Sequence, residues 1–361
     1  MTITVPAGPL PPLYARWAAS FLPGPLPIEE RATCDDCAMR GLNQAGPGAI
    51  EFHPVTKCCT YLPELWNYLV GGILDDDDPA LASGRLSVEQ RIAGRDAVTP
   101  LGLGKSRRYT LLYQQAPDGF GRAESMRCPH HLDDGRCGVW RHRESTCATW
   151  YCKHERGEVG LTFWRRMRGL LRVAEAAVAR HAMLELDIGA DALARLYPAE
   201  RLPAQFSAME VDQAADPAWR RAVWGRWHGR ELEFYRRAAH VAAGLAWEDV
   251  VRLGGGELEL QIRLLRDSHA HLLSTDPPAR PRAKPIQALP VLEGYRAVGY
   301  SDFDPLLLAP ELYEVLGEFD GRPLDQSLEA IRARYHRHLT PALVRKLADF
   351  GVLLEGQETG G

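Results

Sequence analysis

Cysteine constrains this chain more than any other residue. Eight cysteines stand within the first 152 of its 361 residues, and none follows. Cys34 and Cys37 form a C-x-x-C pair, Cys58 and Cys59 are adjacent, and Cys128, Cys137, Cys147 and Cys152 fall in one Trp- and His-rich stretch. Thiols this crowded form disulfides or hold a soft metal. The opening MTITVPAGPLPPLYARW lacks a basic run followed by an apolar one, so no signal peptide is expected. No apolar run approaches the roughly 20 residues of a membrane-spanning helix. The expected setting is cytoplasmic, with no membrane partner. In a reducing compartment clustered thiols serve as metal ligands or redox groups more often than as disulfides. Burial as small hydrophobes accounts for one or two cysteines but not for eight in one segment.

The remainder reads as mainly α, with an irregular, metal-stapled N-terminal region and a small C-terminal winged-helix-like domain. Residues 1–30 carry Pro6, Pro9, Pro11, Pro12, Pro23, Pro25 and Pro27, and read as an extended surface arm. The cysteine domain spans 31–157, with a helical stretch near Leu62–Leu74 ended by Asp75–Asp78, a solvated acidic loop. A helical region covers 158–274. Phe163, Met167, Leu170, Leu171, Ala174 and Val178 mark one buried stripe of a helix over Leu161–Leu186. A second long helix is expected over Ala218–Leu245. Gly254, Gly255 and Gly256 should break the chain before a third, Glu257–Leu273. Five prolines make 275–290 an extended linker. In the last domain, 291–361, Leu307–Phe319 and Leu324–Tyr335 read as helices around a turn at Asp320-Gly321. Thr340 reads as an N-cap with Pro341 at the first helical position, Gly351 as a stop, and Val352–Leu354 as a short strand.

Each cysteine pair limits the ligand geometry. A tight turn at C-x-x-C aims both sulfurs at one ion or cluster. Adjacent cysteines in extended backbone point opposite ways, so Cys58 and Cys59 suit two sites, or different irons of one cluster. Cys128, Cys137, Cys147 and Cys152 could close one four-thiolate site unaided, or complete a larger site begun by the first four. His53, His130, His131, His142 and His154 lie among them as ligands or as donors to sulfur. Arg127, Arg136, Arg141 and Arg143 could offset thiolate charge, while Trp140, Trp150 and Tyr151 could wall the site from water or simply pack the core.

The segment CPHHLDDGRCGVWRHRESTCATWYC resembles the distal half of the YkgJ-type cysteine-cluster family, the zinc- or iron-chelating domain. The resemblance rests on Cys128, Asp133, Asp134, Gly135, Cys137, Trp140, Arg143, Cys147 and Cys152 in type and order. Cys34, Cys37, Cys58 and Cys59 match its proximal pairs. Twenty residues, with Gly41, Gly46, Pro47 and Gly48 among them, separate these pairs where the family has a few. The resemblance implies an iron–sulfur cluster, foremost [4Fe-4S], or Zn2+, held by the eight cysteines. Flagellin lysine methylase lies in the wider group, which implies a SAM-dependent methylase as one reading, although no glycine-rich SAM loop is evident. The C-terminal region weakly resembles PqqD-like peptide-recognition modules through Asp320-Gly321 and LVRKLADFGVLLE. That implies a peptide or protein partner bound by strand addition. The functional expectation is a redox or peptide/protein-modifying metalloprotein. The alternatives are a structural zinc protein acting as an interaction module, and the methylase.

Other signals are set aside. Gly102-Leu103-Gly104-Lys105-Ser106 has Thr99 where a phosphate loop needs its first glycine. The net charge is −4, and Asp325, Glu329 and Asp349 interrupt the basic residues of the last domain, so nucleic acid ranks last among partners. His181, His228, His240, His269 and His271 share no ligand spacing, and no residue set assigns catalysis.

Overall fold

The structure, a computed structural model, describes residues 8–34, 36–40, 50–198, 211 and 216–356. Asp35 of the C-x-x-C pair, Gly41, Gly46, Pro47 and Gly48 of the long gap, and Pro6 lie outside them. The chain is mainly helical with small sheets. It divides into one unit of Met1–Pro27, Phe52–Trp150 and Met167–Arg263, and a second of Ile28–Glu51, Tyr151–Arg166 and Leu264–Gly361.

The first unit opens with α1 (Pro12–Ala19). This corrects the expected surface arm over 1–30. Pro12 occupies the first helical turn, where its missing N–H costs nothing. Leu10, Tyr14, Trp17, Ala18 and Phe21, spaced three and four apart, are all buried. Trp17 and Phe21 meet the Trp247 ring at centroid distances of 6.1 and 5.0 Å. The prolines masked a helical stripe that the aromatic spacing already carried. A three-stranded sheet of order β1-β3-β2 joins β1 (Leu65–Trp66), β2 (Val98–Thr99) and β3 (Gly102–Leu103).

Helix α2 (Asn67–Asp75) realises the expected helix near 62–74, five residues late at its start. Helices α3 (Ala82–Gly94) and α4 (Arg107–Gln115) lie in what read as irregular chain. Ser106 caps α4 by accepting from Tyr109 N. The short α5 (Ser145–Thr149) precedes α6 (Gly157–Glu185), which bears the expected stripe: all six of its named residues are at most 1% exposed. After α7 (Ala190–Leu196), the long helix expected over 218–245 is broken into α8 (Pro217–Trp224) and α9 (Glu231–Ala243). Gly225 and Gly229, at φ +49° and +83°, turn the chain between them. Helix α2 packs so closely on α9 that a Cβ at Gly71 would sit 1.9 Å from Tyr235 O. Helix α10 (Trp247–Leu273) kinks at Gly255, whose φ +59° and ψ −153° are essentially glycine-only. The glycine run thus interrupts the helix as expected, with one helical segment before it from Trp247 and the expected one after it to Leu273.

In the second unit, the presumed linker 275–290 carries β4 (Pro281–Ala283) and most of β5 (Gln287–Val291). Strand β4 pairs antiparallel with β8 (Leu353–Glu355). Strands β5, β6 (Gly294–Val298) and β7 (Leu306–Leu308) form an antiparallel meander. Proline is tolerated here because it heads β4 and sits in the edge strand β5. The expected helix over 307–319 begins as β7, and helix appears only as α11 (Pro310–Glu314) followed by a 3-10 turn, Val315–Glu318. Helices α12 (Leu324–Tyr335) and α13 (Pro341–Asp349) match the reading, with Thr340 Oγ1 accepting from Leu343 N at 3.2 Å and Gly351 stopping the chain at φ +70°. Ala297, Leu308, Val315, Phe319, Ile331, Val344, Leu347, Val352 and Leu353 make one buried core.

Candidate metal centre

The first unit holds Cys58, Cys59, Cys128, Cys137 and Cys147; the second holds Cys34, Cys37 and Cys152. None of the eight is joined in a disulfide. In the first unit backbone pairing positions Cys59, Cys128 and Cys137, while Cys147 sits on a short helix. His130 and His131 run antiparallel to Cys137 and Gly138, closed by Leu132 N to Arg136 O at 2.9 Å and Gly138 N to His130 O at 2.8 Å. The aspartate-glycine turn, Asp133 to Arg136, works because Gly135 takes φ +84° and Asp134 accepts from Arg136 N. The double-cysteine segment joins this hairpin at both ends. Cys128 N donates to Cys59 O at 2.7 Å, and buried Lys57 donates from Nζ to Gly135 O at 3.1 Å. Gly138 in turn sits against Gly84 of α3, where a Cβ would lie 1.7 Å from Gly138 O.

Charges in this group oppose one another. Burial pushes the Cys128 thiol far up, and the charges of Cys137 and Cys59 add to the rise. Cys147 is pushed up by burial, then by Glu144, Cys128 and Cys137. Cys59 moves the other way. A hydrogen bond from Cys58 lowers it against the cost of burial, helped by Lys57, Arg143 and Arg127. The expected arginines therefore divide. Arg127 and Arg143 act on a thiol, whereas Arg136 pairs with Asp134 and Arg141 reaches Asp76 and Asp78 at 3.6 Å. Lys57 and Arg91, the latter close enough to act on Cys128, are cations that the sequence reading missed. Trp140 lies under the Arg143 guanidinium, 3.4 Å from its ring centroid, while Trp150 is 36% exposed and closes off little.

Three histidines of this unit are committed elsewhere. His53 faces Glu124 at 3.3 Å. His130 meets Ser87 Oγ at 2.7 Å, and burial, aided by Arg91, depresses it to about 3. His142 holds Asp76 at 2.8 Å, so the acidic run is not simply a solvated loop: the Asp76 side chain is 9% exposed and paired. His131 differs. Arg127 Nε donates to its Nδ1 at 3.3 Å, which leaves the proton on Nε2, and that buried N–H has no hydrogen-bond partner among the described residues.

Cys147 sits on α5, which two carboxylates hold. Glu144 caps it, accepting from Thr146 N at 2.6 Å and Cys147 N at 2.8 Å. Glu175 of α6, fully buried, accepts from Ser145 N, Ser145 Oγ, Trp66 Nε1 and Tyr14 Oη. Burial and the nearby Glu144 still raise its carboxyl. Neither carboxylate was singled out from sequence, since glutamate is not among the residues favoured at a helix N-cap.

In the second unit burial, then Cys37, with Cys34 adding, pushes Cys152 up to about 12 against Lys153. His154 is not drawn to these sulfurs. Its Nδ1 meets Tyr300 Oη at 3.4 Å, and burial depresses it to about 4. Asp304 organises its surroundings, binding Arg31 at 2.9 and 3.0 Å and accepting from Tyr300 Oη.

The donor set has the chemistry of a soft-metal site: neutral thiols that a cation would deprotonate, nearby positive charge, and an unmet N–H suited to sulfur. Among the described residues, however, no three His, Cys, Asp or Glu side chains close on a common point tightly enough to hold an ion. No protein-family model matches the chain, and no curated protein or solved structure resembles it closely enough to count as a match.

Proposed function

We propose that this protein binds iron–sulfur through its cysteines and uses it in a redox or peptide/protein-modifying role. The observation that carries the reading is the backbone that ties Cys59, Cys128 and Cys137 together through the Cys128 N to Cys59 O bond and the His131–Cys137 bridge, with buried Lys57 and the His131 N–H beside them and Cys147 near enough to act on Cys128. Four thiolates suffice for a cubane cluster, and N–H donors to sulfur raise its potential. Cys58 offers a fifth thiol in that unit. Cys34, Cys37 and Cys152 form a smaller set in the other. A bound cluster would supply one-electron chemistry. The chain's own residues would give up thiol protons on loading, so loading should release protons and weaken as pH falls. Such a cluster would also staple the irregular backbone of 52–62 and 124–150.

The C-terminal part is proposed as a winged-helix-like peptide-recognition module. The supporting observation is the meander β5-β6-β7, in which both β5 and β7 are edges able to accept an added strand. Purification without oxygen tests the metal reading. The protein should be brown, with broad visible absorption that bleaches on reduction and is lost in Cys128→Ser. Colourless protein with a well-dispersed fold would instead favour structural zinc.

A further inference from the structure

Helix α3 reaches the cysteine hairpin through Gly84, Ser87 and Arg91, spaced three and four apart on one face. Gly84 meets Gly138, and the other two hold the His130 ring. Ser87 Oγ donates to Gly84 O at 2.7 Å, so its bond with His130 Nδ1, also 2.7 Å, takes its proton from the ring. That leaves Nε2 as an acceptor, facing Arg91 Nη1 at 3.4 Å. In this arrangement the ring is neutral and adds no charge of its own. The His130 amide donates to the Cys128 sulfur, so one residue ties Arg91 to a thiol.

Arg91 brings a charge that its partners do not cancel. Its Nη2 donates to Gly104 O at 2.5 Å, and both this carbonyl and the His130 ring are neutral. Among the described residues no carboxylate pairs with it, and the one carboxylate that acts on it, Asp96, is exposed. Taking a cation out of water without an anion is costly. Burial does lower the guanidinium here, and Cys128 leads the groups that oppose the loss. We infer that Arg91 is a positioning residue of the metal centre, its charge held at the Cys128 end of the hairpin, where it favours the reduced, more negative state of a cluster bound there. The inference rests on the iron–sulfur reading above. Reduction adds one electron, taken from an external one-electron donor, with no bond made or broken and no proton required. A fixed positive charge lowers the energy of the added negative one and so raises the reduction potential.

The test is a dithionite titration, with redox mediators, of the full chain purified without oxygen. Visible absorption follows it in wild type, Arg91→Gln, Arg91→Lys and Arg95→Gln. At the wild-type midpoint Arg91→Gln should lower the ratio of reduced to oxidised cluster about tenfold, equivalent to about 59 mV for a one-electron couple. Arg91→Lys, which keeps the charge and loses the forked donors, should stay within about threefold of wild type. Arg95→Gln removes an exposed charge at the end of the same helix and should leave the midpoint unchanged. A wild-type midpoint in Arg91→Gln, or Arg91→Lys as low as Arg91→Gln, overturns the inference and leaves the cluster reading standing. If Arg91→Gln takes up no iron, wild-type iron in Arg91→Lys supports the role of the charge, and iron lost from both overturns it. Wild-type protein without iron removes the cluster reading, and this inference with it.

Discussion

Gly84 is where the cysteine hairpin meets a helix at backbone distance. A methyl there would overlap Gly138 O, one residue beyond Cys137. Backbone cannot yield as a flexible side chain does, so Gly84→Ala should cost at least about 1–3 kcal/mol in denaturant unfolding. Glu175 makes a pH argument. Its folded carboxyl is raised to about 8 from the ordinary glutamate range, so between about 4.5 and 8 the folded state holds a proton that the unfolded state has lost. Stability contributed by this residue is therefore full at low pH and falls as pH rises through that window. Glu175→Gln should flatten that slope, by an amount on the order of a few kcal/mol, in unfolding curves collected from pH 5 to 8.5. An unchanged slope would show that the carboxylate is ionised throughout. Such residues are hard to see in a sequence. Glu175 lies on a helix whose other charges face water, and only the fold brings Tyr14, Trp66 and Ser145 to it.

At the scale of elements, legibility followed periodicity. The α6 stripe and the α12 and α13 boundaries were readable because apolar spacing, the Thr340 cap and the Gly351 stop act locally. The α1 helix was obscured by prolines, which are compatible with a first turn but dominate composition. Strands β5 to β7 were missed for another reason: short edge strands such as Leu306–Leu308 read equally well as a helix face. The break between α8 and α9 was signalled by Gly225 and Gly229, though helical spacing on either side outweighed it. A direct check on the corrected arm is Trp17→Ala. Trp17 is 1% exposed against Tyr14 and Trp247, so its loss should cost about 3–5 kcal/mol, whereas a surface arm would lose almost nothing.

Across the whole molecule, the cysteine spacing foretold a thiol-rich region but not its partition. Five sulfurs fall in one unit and three in the other because Tyr151 begins a segment that belongs with the C-terminal part. Cys147 and Cys152, five residues apart in sequence, fall in different units. The core around Leu308, Phe319, Ile331 and Leu347 needs no cysteine. Hydrogen exchange after chelation should therefore show lost protection over 52–62 and 124–150, while 281–355 stays protected; loss over 281–355 as well would tie that core to the metal. The most direct measurement is iron, acid-labile sulfide and zinc per chain, on protein purified without oxygen. Iron and sulfide in near-equal amounts, both lost in Cys128→Ser, is the result expected. Stoichiometric zinc without sulfide, or a folded chain with no metal, would contradict the account.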